Sequence, residues 1–133
     1  NELYDGAIGA GARLNESTIH VSNVNGIGDA ALAYSGTAGF HKADMTDMFD
    51  ALVSRCRRTR GFGDFWGHML VARGAMDIMI EPDLNVWDVA ALQPIVFEAG
   101  GRLSDLNGDT WSVRGPCVTT NGLLHEEVLA LAR

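Results

Sequence analysis

The sequence predicts an α/β fold, in which helices pack on a layered sheet. From residue 30 onward, short apolar stretches of strand length alternate with stretches of helical periodicity. Residues 44–58 carry the clearest helical pattern, and apolar strand-like segments precede and follow them. The chain has 133 residues, of which 47% are hydrophobic, enough for one domain with a core and too few for two large ones.

Residues 1–24 predict a β-hairpin segment. Extended pieces at residues 3–8, 12–14 and 18–22 are separated by the turn-forming sequences around Gly9 and Asn15. A connection rich in Gly and Asn follows, and residues 28–133 are expected to form a C-terminal α/β domain. Its first apolar run, residues 30–34, favours a buried strand, although periodicity alone leaves a helix open.

Two helices are expected in the middle of the chain. Over residues 44–58, apolar side chains recur at the spacing of one helix face, namely Met45, Met48, Phe49, Leu52, Val53 and Cys56. Residues 65–73 predict the second helix, with Asp64 as a possible N-cap and Gly74 ending it.

The C-terminal part predicts three more strands and two more helices. Residues 78–80 are expected to form a strand that ends at Glu81, and residues 87–99 a helix kinked by Pro94. Strands are predicted at residues 102–104 and 117–120, and a last helix at residues 125–132. Its inward side chains are expected to be Leu124, Val128, Leu131 and Ala132.

Composition excludes several functional classes. Seventeen acidic against 10 basic residues give a net charge of −7, and the only basic cluster is the short one at residues 55–60, so no nucleic-acid partner is expected. No apolar run approaches the roughly 18 residues of a membrane span. Cys56 and Cys117 have no zinc-site spacing and are expected to be reduced thiols, which favours a cytoplasmic location.

Three carboxylates lie between a predicted strand end and the first turn of a predicted helix: Glu81, Asp83 and Asp88. Ligands of open α/β sheets bind at such strand ends, and Mg²⁺ prefers carboxylate oxygens. The same residues also fit purely structural roles, Asp88 as an acid favoured by the helix dipole and Glu81 as a surface acid. From the residues alone, both interpretations stay open.

The same region resembles a known family. Residues 81–91 read EPDLNVWDVAA and residues 98–101 read EAGG. Together they resemble the C-terminal signature of the inositol monophosphatase family, Trp-Asp-x-Ala-Ala followed by Glu-Ala-Gly-Gly. Residues 58–68, RTRGFGDFWGH, are most similar to the histidinol-phosphatase branch.

The resemblance implies a layered α/β/α/β/α sugar-phosphatase-like fold, to which this chain contributes part of the first sheet and the C-terminal α/β half. It also implies a homodimer with Mg²⁺-dependent phosphomonoesterase activity. The expected reaction, a step of histidine biosynthesis, converts histidinol phosphate to histidinol and phosphate.

Residue by residue, Asp88 matches the family's metal ligand and Glu81 the contact to the leaving alcohol. Asp64 matches a position beside the organic half of the substrate, where an acid suits a cation. Arg60 matches a weaker substrate-side position, and a solvated base near a helix end is an equal alternative for it.

Two upstream metal-binding motifs of the family, Gly-Glu-Glu and Asp-Pro-Ile/Leu-Asp-Gly-Thr, do not occur in these 133 residues. The expectation is therefore a C-terminal half that holds none of the catalytic residues, is inactive alone and associates with the other half. Two alternatives are open: another small phosphomonoester as substrate, such as an inositol phosphate, or a non-catalytic assembly domain that keeps the fold.

Overall fold

The computed structural model describes residues 1–132 and contains two β-sheets. The smaller sheet is antiparallel, and its strands β1 (Tyr4–Ala7), β2 (Gly11–Leu14) and β3 (Ser17–Thr18) lie in chain order. The strand predicted at residues 18–22 is wrong beyond Thr18. Instead of pairing in the sheet, the Val21 N–H donates to the carbonyl of Ala99 at 3.0 Å.

The larger sheet has five strands in the order β5-β4-β6-β8-β7. The central strand β6 is parallel to β4 and antiparallel to β8, and β4 is also parallel to β5. The strands are β4 (Ala31–Tyr34), β5 (Arg58–Arg60), β6 (Ile78–Asn85), β7 (Arg102–Ser104) and β8 (Arg114–Thr120).

Six helices accompany the sheets: α1 (Thr37–Lys42), α2 (Thr46–Arg55), α3 (Asp64–Ala72), α4 (Val86–Val89), α5 (Leu92–Glu98) and α6 (His125–Leu129). Short 3₁₀ turns lie at Ile27–Asp29 and Ala130–Ala132. None of the helices in residues 1–132 is long and apolar enough to cross a membrane.

The two faces of the large sheet pack on different helices. Leu32, Ile78 and Ile80 contact the apolar sides of α1, α2 and α6 on one face. On the other face Met79 packs with Leu70 of α3, and the helix pair α3 and α5 then packs on the small sheet through its own apolar cluster. The order helix, sheet, helix, sheet confirms the predicted layered α/β class. The proposed division between residues 1–24 and 28–133 stays a prediction.

Several element boundaries differ from the sequence prediction. The helix predicted over 44–58 ends at Arg55, because Arg58–Arg60 pair with β4 as an edge strand. Helix α1 was not predicted, since its six residues are too few to show periodicity. The helix predicted over 87–99 is two helices, and Pro94 is the third residue of α5, where no intrahelical N–H bond is lost. Ala132 is exposed and does not point inward.

Strand β6 is longer than predicted and runs past Pro82 to Asn85. Pairing of β6 with β4 ends at Ile80, so the missing N–H of Pro82 removes no bond on that side. On the β8 side, the register shifts between Glu81 and Leu84, which is a β-bulge. Because of this extension, Asp83 lies on a strand and not in a loop between the predicted strand and the predicted helix.

Both cysteines are free thiols. Cys56 directly follows α2 and is half-buried, and burial raises the pKa of its thiol to about 11. Cys117 is buried on β8, where burial raises its pKa to about 12. Neither thiol is therefore prone to ionise near neutral pH.

Candidate active site

An acidic cleft of about 630 Å³ opens where strand β6 leads into helix α4. Its walls are formed by Ser35, which follows β4, and by residues from the start of α3 and from α4. Carboxyl ends of neighbouring parallel strands, here β4 and β6, meet at this edge of the sheet. The lining residues are Ser35, Asp64, Phe65, His68, Glu81, Asp83, Leu84, Trp87, Asp88 and Leu92, and they include neither Lys nor Arg.

A larger groove of about 800 Å³ lies elsewhere, between α5 and the loop around Gly108. Its lining is mainly apolar and includes Ile8, Pro94 and Phe97. None of the four predicted site residues lies there. The acidic cleft is therefore the candidate active site, because it gathers the groups capable of ionic chemistry.

Glu81 is the buried carboxylate of the cleft, with 3% of its surface exposed. Its Oε1 accepts the backbone N–H of Asp64 at 3.2 Å. Burial raises the pKa of Glu81, hydrogen bonds from Ser35 and from the Asp64 backbone oppose the rise, and the charges of Asp64 and Asp88 add to it. The interpretation of Glu81 as a surface acid is wrong, and its desolvation is typical of a functional carboxylate.

Asp64 begins helix α3 with a left-handed backbone (φ 58°), a conformation that Asp tolerates better than most residues. Its side chain does not cap the helix, so the predicted N-cap role is wrong. The carboxylate is instead exposed at the cleft, while the backbone N–H binds Glu81. Asp64 and Glu81 are thus brought together by a direct hydrogen bond.

Asp88 lies in the first turn of α4 and lines the cleft. Its Oδ2 accepts the backbone N–H of Asn85 at 2.9 Å, and the Asn85 side chain accepts the backbone N–H of Asp88 in return. This capping box gives Asp88 the structural role that the sequence left open. The residue is exposed, and only one of its oxygens is used in the cap.

The carboxylate of Asp88 fits a Mg²⁺ ligand, since a hard cation takes exposed carboxylate oxygens together with water and phosphate. It fits as one ligand of a set. Across residues 1–132 no group of three or more His, Cys, Asp or Glu side chains is placed to hold a metal ion.

Asp83 lies at the cleft rim and faces Arg114 across the sheet. Its two oxygens accept the Arg114 Nε–H at 3.1 Å and an Arg114 terminal N–H at 2.8 Å. These bonds lower the pKa of Asp83. Asp83 is therefore committed to an ion pair and contributes less net charge to the cleft than the sequence suggests.

Arg60 is exposed at the end of the edge strand β5, and it donates to the carbonyl of Thr59 at 2.7 Å. It is not among the residues that line the cleft. The structure therefore gathers three of the four predicted site residues and leaves the fourth outside.

Comparison with known proteins supplies the family. A sequence model described as the inositol monophosphatase family matches residues 1–133, the whole chain. The chain belongs to the inositol monophosphatase family.

Curated relatives that carry the name histidinol-phosphatase are among the matches. The chain is 42% identical over 111 residues to the one from Streptomyces coelicolor and 44% identical over 111 residues to the one from Mycobacterium tuberculosis, in each case over 84% of this chain. These matches cover 42% and 43% of the relatives. The chain therefore spans about half the length of the curated relatives it matches.

A solved structure of an inositol monophosphatase from Zymomonas mobilis superposes with a TM-score of 0.91 at 29% identity. The superposition covers 98% of this chain and 53% of that structure. The layered fold described above is thus the fold of this family.

The two parts of the family signature, WDVAA and EAGG, lie in different places in this inositol monophosphatase family member. The Trp87-Asp88 pair lines the cleft. Glu98 lies outside it, and its carboxylate accepts the backbone N–H groups of Gly9 and Gly11, each at 2.8 Å. The second part of the signature therefore holds the β1–β2 turn on helix α5.

Sequence reasoning missed His68, which lies one helical turn after Asp64 and lines the same cleft. The imidazole is fully buried, and its Nδ1 lies 2.8 Å from Oγ1 of Thr119. Burial lowers the pKa of His68 to about 4. The spacing of four residues from Asp64 was the available signal, because residues i and i+4 share a helix face.

Proposed function

We propose that the protein to which this chain belongs hydrolyses histidinol phosphate to histidinol and phosphate, as a cytoplasmic step of histidine biosynthesis. The observation that carries the proposal is the pairing of Asp64 with the buried Glu81 in a cleft lined by neither Lys nor Arg. Such a cleft complements a substrate whose organic half is cationic, as the ammonium and imidazole of histidinol are. The relatives named histidinol-phosphatase support the same substrate.

In this proposal Asp88 holds Mg²⁺ together with carboxylates that lie outside these 133 residues. A bound Mg²⁺ supplies an activated water and neutralises charge on the phosphoryl oxygens. The capping box fixes the orientation of the Asp88 carboxylate, since its Oδ2 accepts the backbone N–H of Asn85 and the Asn85 side chain accepts the backbone N–H of Asp88 in return. The isolated chain is then inactive because a single such ligand is too few for phosphoryl chemistry.

The remaining contacts orient the leaving group. Glu81 accepts a hydrogen bond from the leaving alcohol or the neighbouring amine, and Asp64 pairs with the cationic end. Arg60 is retained as an outer substrate-side residue, although it reaches no cleft residue in the structure. The proposal includes a homodimer, or association with a separately supplied upstream half, as the form that acts.

The test is substrate profiling of the full-length protein and of its Asp64→Asn variant. Because the amide keeps the shape and removes the charge, we expect KM for histidinol phosphate to rise about tenfold, as a lost charge-assisted bond predicts. Asp50→Asn, on the exposed side of α2, is the matched control and should leave the KM for histidinol phosphate unchanged. Absence of phosphate release from histidinol phosphate by the full-length protein would contradict the proposal.

An inositol phosphate is the second candidate substrate, supported by the superposition on the Zymomonas mobilis enzyme. A neutral polyol offers hydroxyl groups to Glu81 but gives Asp64 no cation to pair with. An Asp64→Asn variant that retains full activity toward inositol 1-phosphate, combined with a wild-type protein inert toward histidinol phosphate, would select this alternative.

A further inference from the structure

His68 is a buried polar side chain at the floor of the candidate active site. It extends from α3 toward the large sheet, where Nδ1 meets Oγ1 of Thr119 on β8. Thr119 lies opposite Met79 in the β6–β8 ladder, and Cys117 lies opposite Glu81. Because side chains alternate along strands, Thr119 and Glu81 belong to the same face of the sheet, the face that carries α3. His68 therefore occupies the layer that contains the Glu81 carboxylate.

The second ring nitrogen of His68 has no partner. Its Nε2 is the one buried side-chain nitrogen or oxygen in residues 1–132 that lacks a hydrogen bond. Buried polar atoms are almost always partnered, so an orphan next to a cleft marks a place where a ligand or a water completes the bond. His125 is a useful contrast, because it is equally buried and its two ring nitrogens contact Ser104 and Thr120 at 2.8 and 3.0 Å.

The surroundings decide which kind of partner fits. The ionisable neighbours that line the cleft are carboxylates, which accept hydrogen bonds, and the hydroxyl of Thr119 can accept a hydrogen bond from a protonated Nδ1. In that tautomer Nε2 presents a lone pair and adds one more acceptor to the floor. A cleft built of acceptors takes a ligand rich in N–H donors. Burial also keeps the imidazole neutral at pH 7, since it lowers the pKa of His68 to about 4.

We propose that Nε2 of His68 accepts a hydrogen bond from an N–H group of the substrate's cationic half, which makes His68 a specificity-determining residue for amino-alcohol phosphates. The inference rests on the proposed function and deepens it, because it adds a neutral acceptor to the two carboxylates at Asp64 and Glu81. This role also explains why a histidine occupies the position, since an apolar side chain there would leave no buried nitrogen without a hydrogen bond.

The direct test is a ¹⁵N correlation spectrum of the histidine side chains of this chain, recorded as L-histidinol is added, with myo-inositol as the control ligand. We expect the Nε2 resonance of His68 to start as that of an unprotonated, acceptor nitrogen and to shift saturably with histidinol and not with inositol. The His125 nitrogens should stay unchanged in both titrations.

Three results would overturn the proposal. A protonated Nε2 in the free chain contradicts the tautomer. A shift of the Asp64 amide without a shift of His68 Nε2 rejects His68 as a contact and leaves the proposed function intact. No shift at either residue rejects the contact as well, and phosphate release by the full-length protein then decides separately whether the function stands.

A second, kinetic experiment uses His68→Met, which has a similar volume and replaces the ring nitrogen by a thioether sulfur, a much weaker acceptor. In the full-length protein, we expect about a tenfold higher KM for histidinol phosphate, with kcat and the KM for inositol 1-phosphate nearly unchanged. An equal loss for both substrates would indicate a packing role and would contradict the proposal. If the variant does not fold, the spectra of the unaltered chain still give the answer.

Discussion

Replacing Glu98 by Ala should loosen the small sheet from the rest of the molecule. The Glu98 carboxylate accepts the N–H of Gly9 at Oε1 and that of Gly11 at Oε2, both at 2.8 Å. Both glycines have left-handed backbones, with φ of 80° and 79°, so this turn relies on glycine and on the carboxylate for its shape. The two bonds join segments that are distant in sequence and close in space.

The expected loss follows from the nature of the two bonds. A hydrogen bond to a charged group contributes about 1.5–3 kcal/mol. Water can reach the exposed N–H of Gly9 once the carboxylate is gone, which reduces its share. We therefore expect Glu98→Ala to lower the free energy of unfolding by about 2 kcal/mol, and Glu98→Gln, whose amide keeps one acceptor oxygen, by about 1 kcal/mol.

Urea unfolding of the chain at pH 7, followed by circular dichroism, measures the effect. With a slope of about 2 kcal/mol per molar, the midpoint of Glu98→Ala should fall by about 1 M. Glu127→Ala is the matched control, because Glu127 makes an exposed ion pair with Arg55 at 2.8 Å and should cost less than about 1 kcal/mol. A Glu98→Ala midpoint equal to that of Glu127→Ala would refute the reasoning.

Three further predictions concern stability. Gly67→Ala should destabilise the chain by about 1–3 kcal/mol, since the new Cβ would overlap the sulfur of Met79 and lie 2.8 Å from a backbone oxygen; a melting temperature at or above wild type would contradict this. Asp77→Asn should cost about 2 kcal/mol, because it removes the charge of a carboxylate whose two oxygens accept the N–H of Ala31 at 2.6 Å and the hydroxyl of Ser22, and the amide keeps only one acceptor oxygen; an unchanged urea midpoint would count against it. Burial lowers the pKa of His68 and His125 to about 4 each, so the unfolded chain binds more protons between pH 6.5 and 4. The contribution of the two neutral histidines to the free energy of unfolding is therefore complete above pH 6.5. It is lost as the pH falls, by about 2 kcal/mol per histidine at pH 5. Urea midpoints that are equal at pH 7 and pH 5 would show otherwise.

Local sequence patterns predicted the elements whose patterns are long and regular. Met48 and Leu52 form the buried side of α2 as their spacing indicates. The patterns failed where a contact from elsewhere sets the boundary. Arg58 leaves the helical pattern because its strand pairs with β4, and a Pro at position 82 marks a strand end in the sequence but lies inside β6.

The candidate site was predictable in part for the same reason. Asp88 and Glu81 were found through a long motif, and Asp64 through a shorter one. His68 was not found, because a histidine in an apolar helix segment is usually a core residue and its orphan nitrogen depends on Thr119, far along the chain.

The sequence by itself determined the α/β class and the family of this protein. The alternation of strand-like with helix-like apolar patterns and the WDVAA and EAGG segments are local properties of the chain. Only the tertiary structure decided what each carboxylate does. Glu81 is desolvated, Asp83 is neutralised by Arg114, and Glu98 holds a turn. These environments arise from residues far apart in sequence that the sheet register and the bulge in β6 bring together, and no local pattern records them.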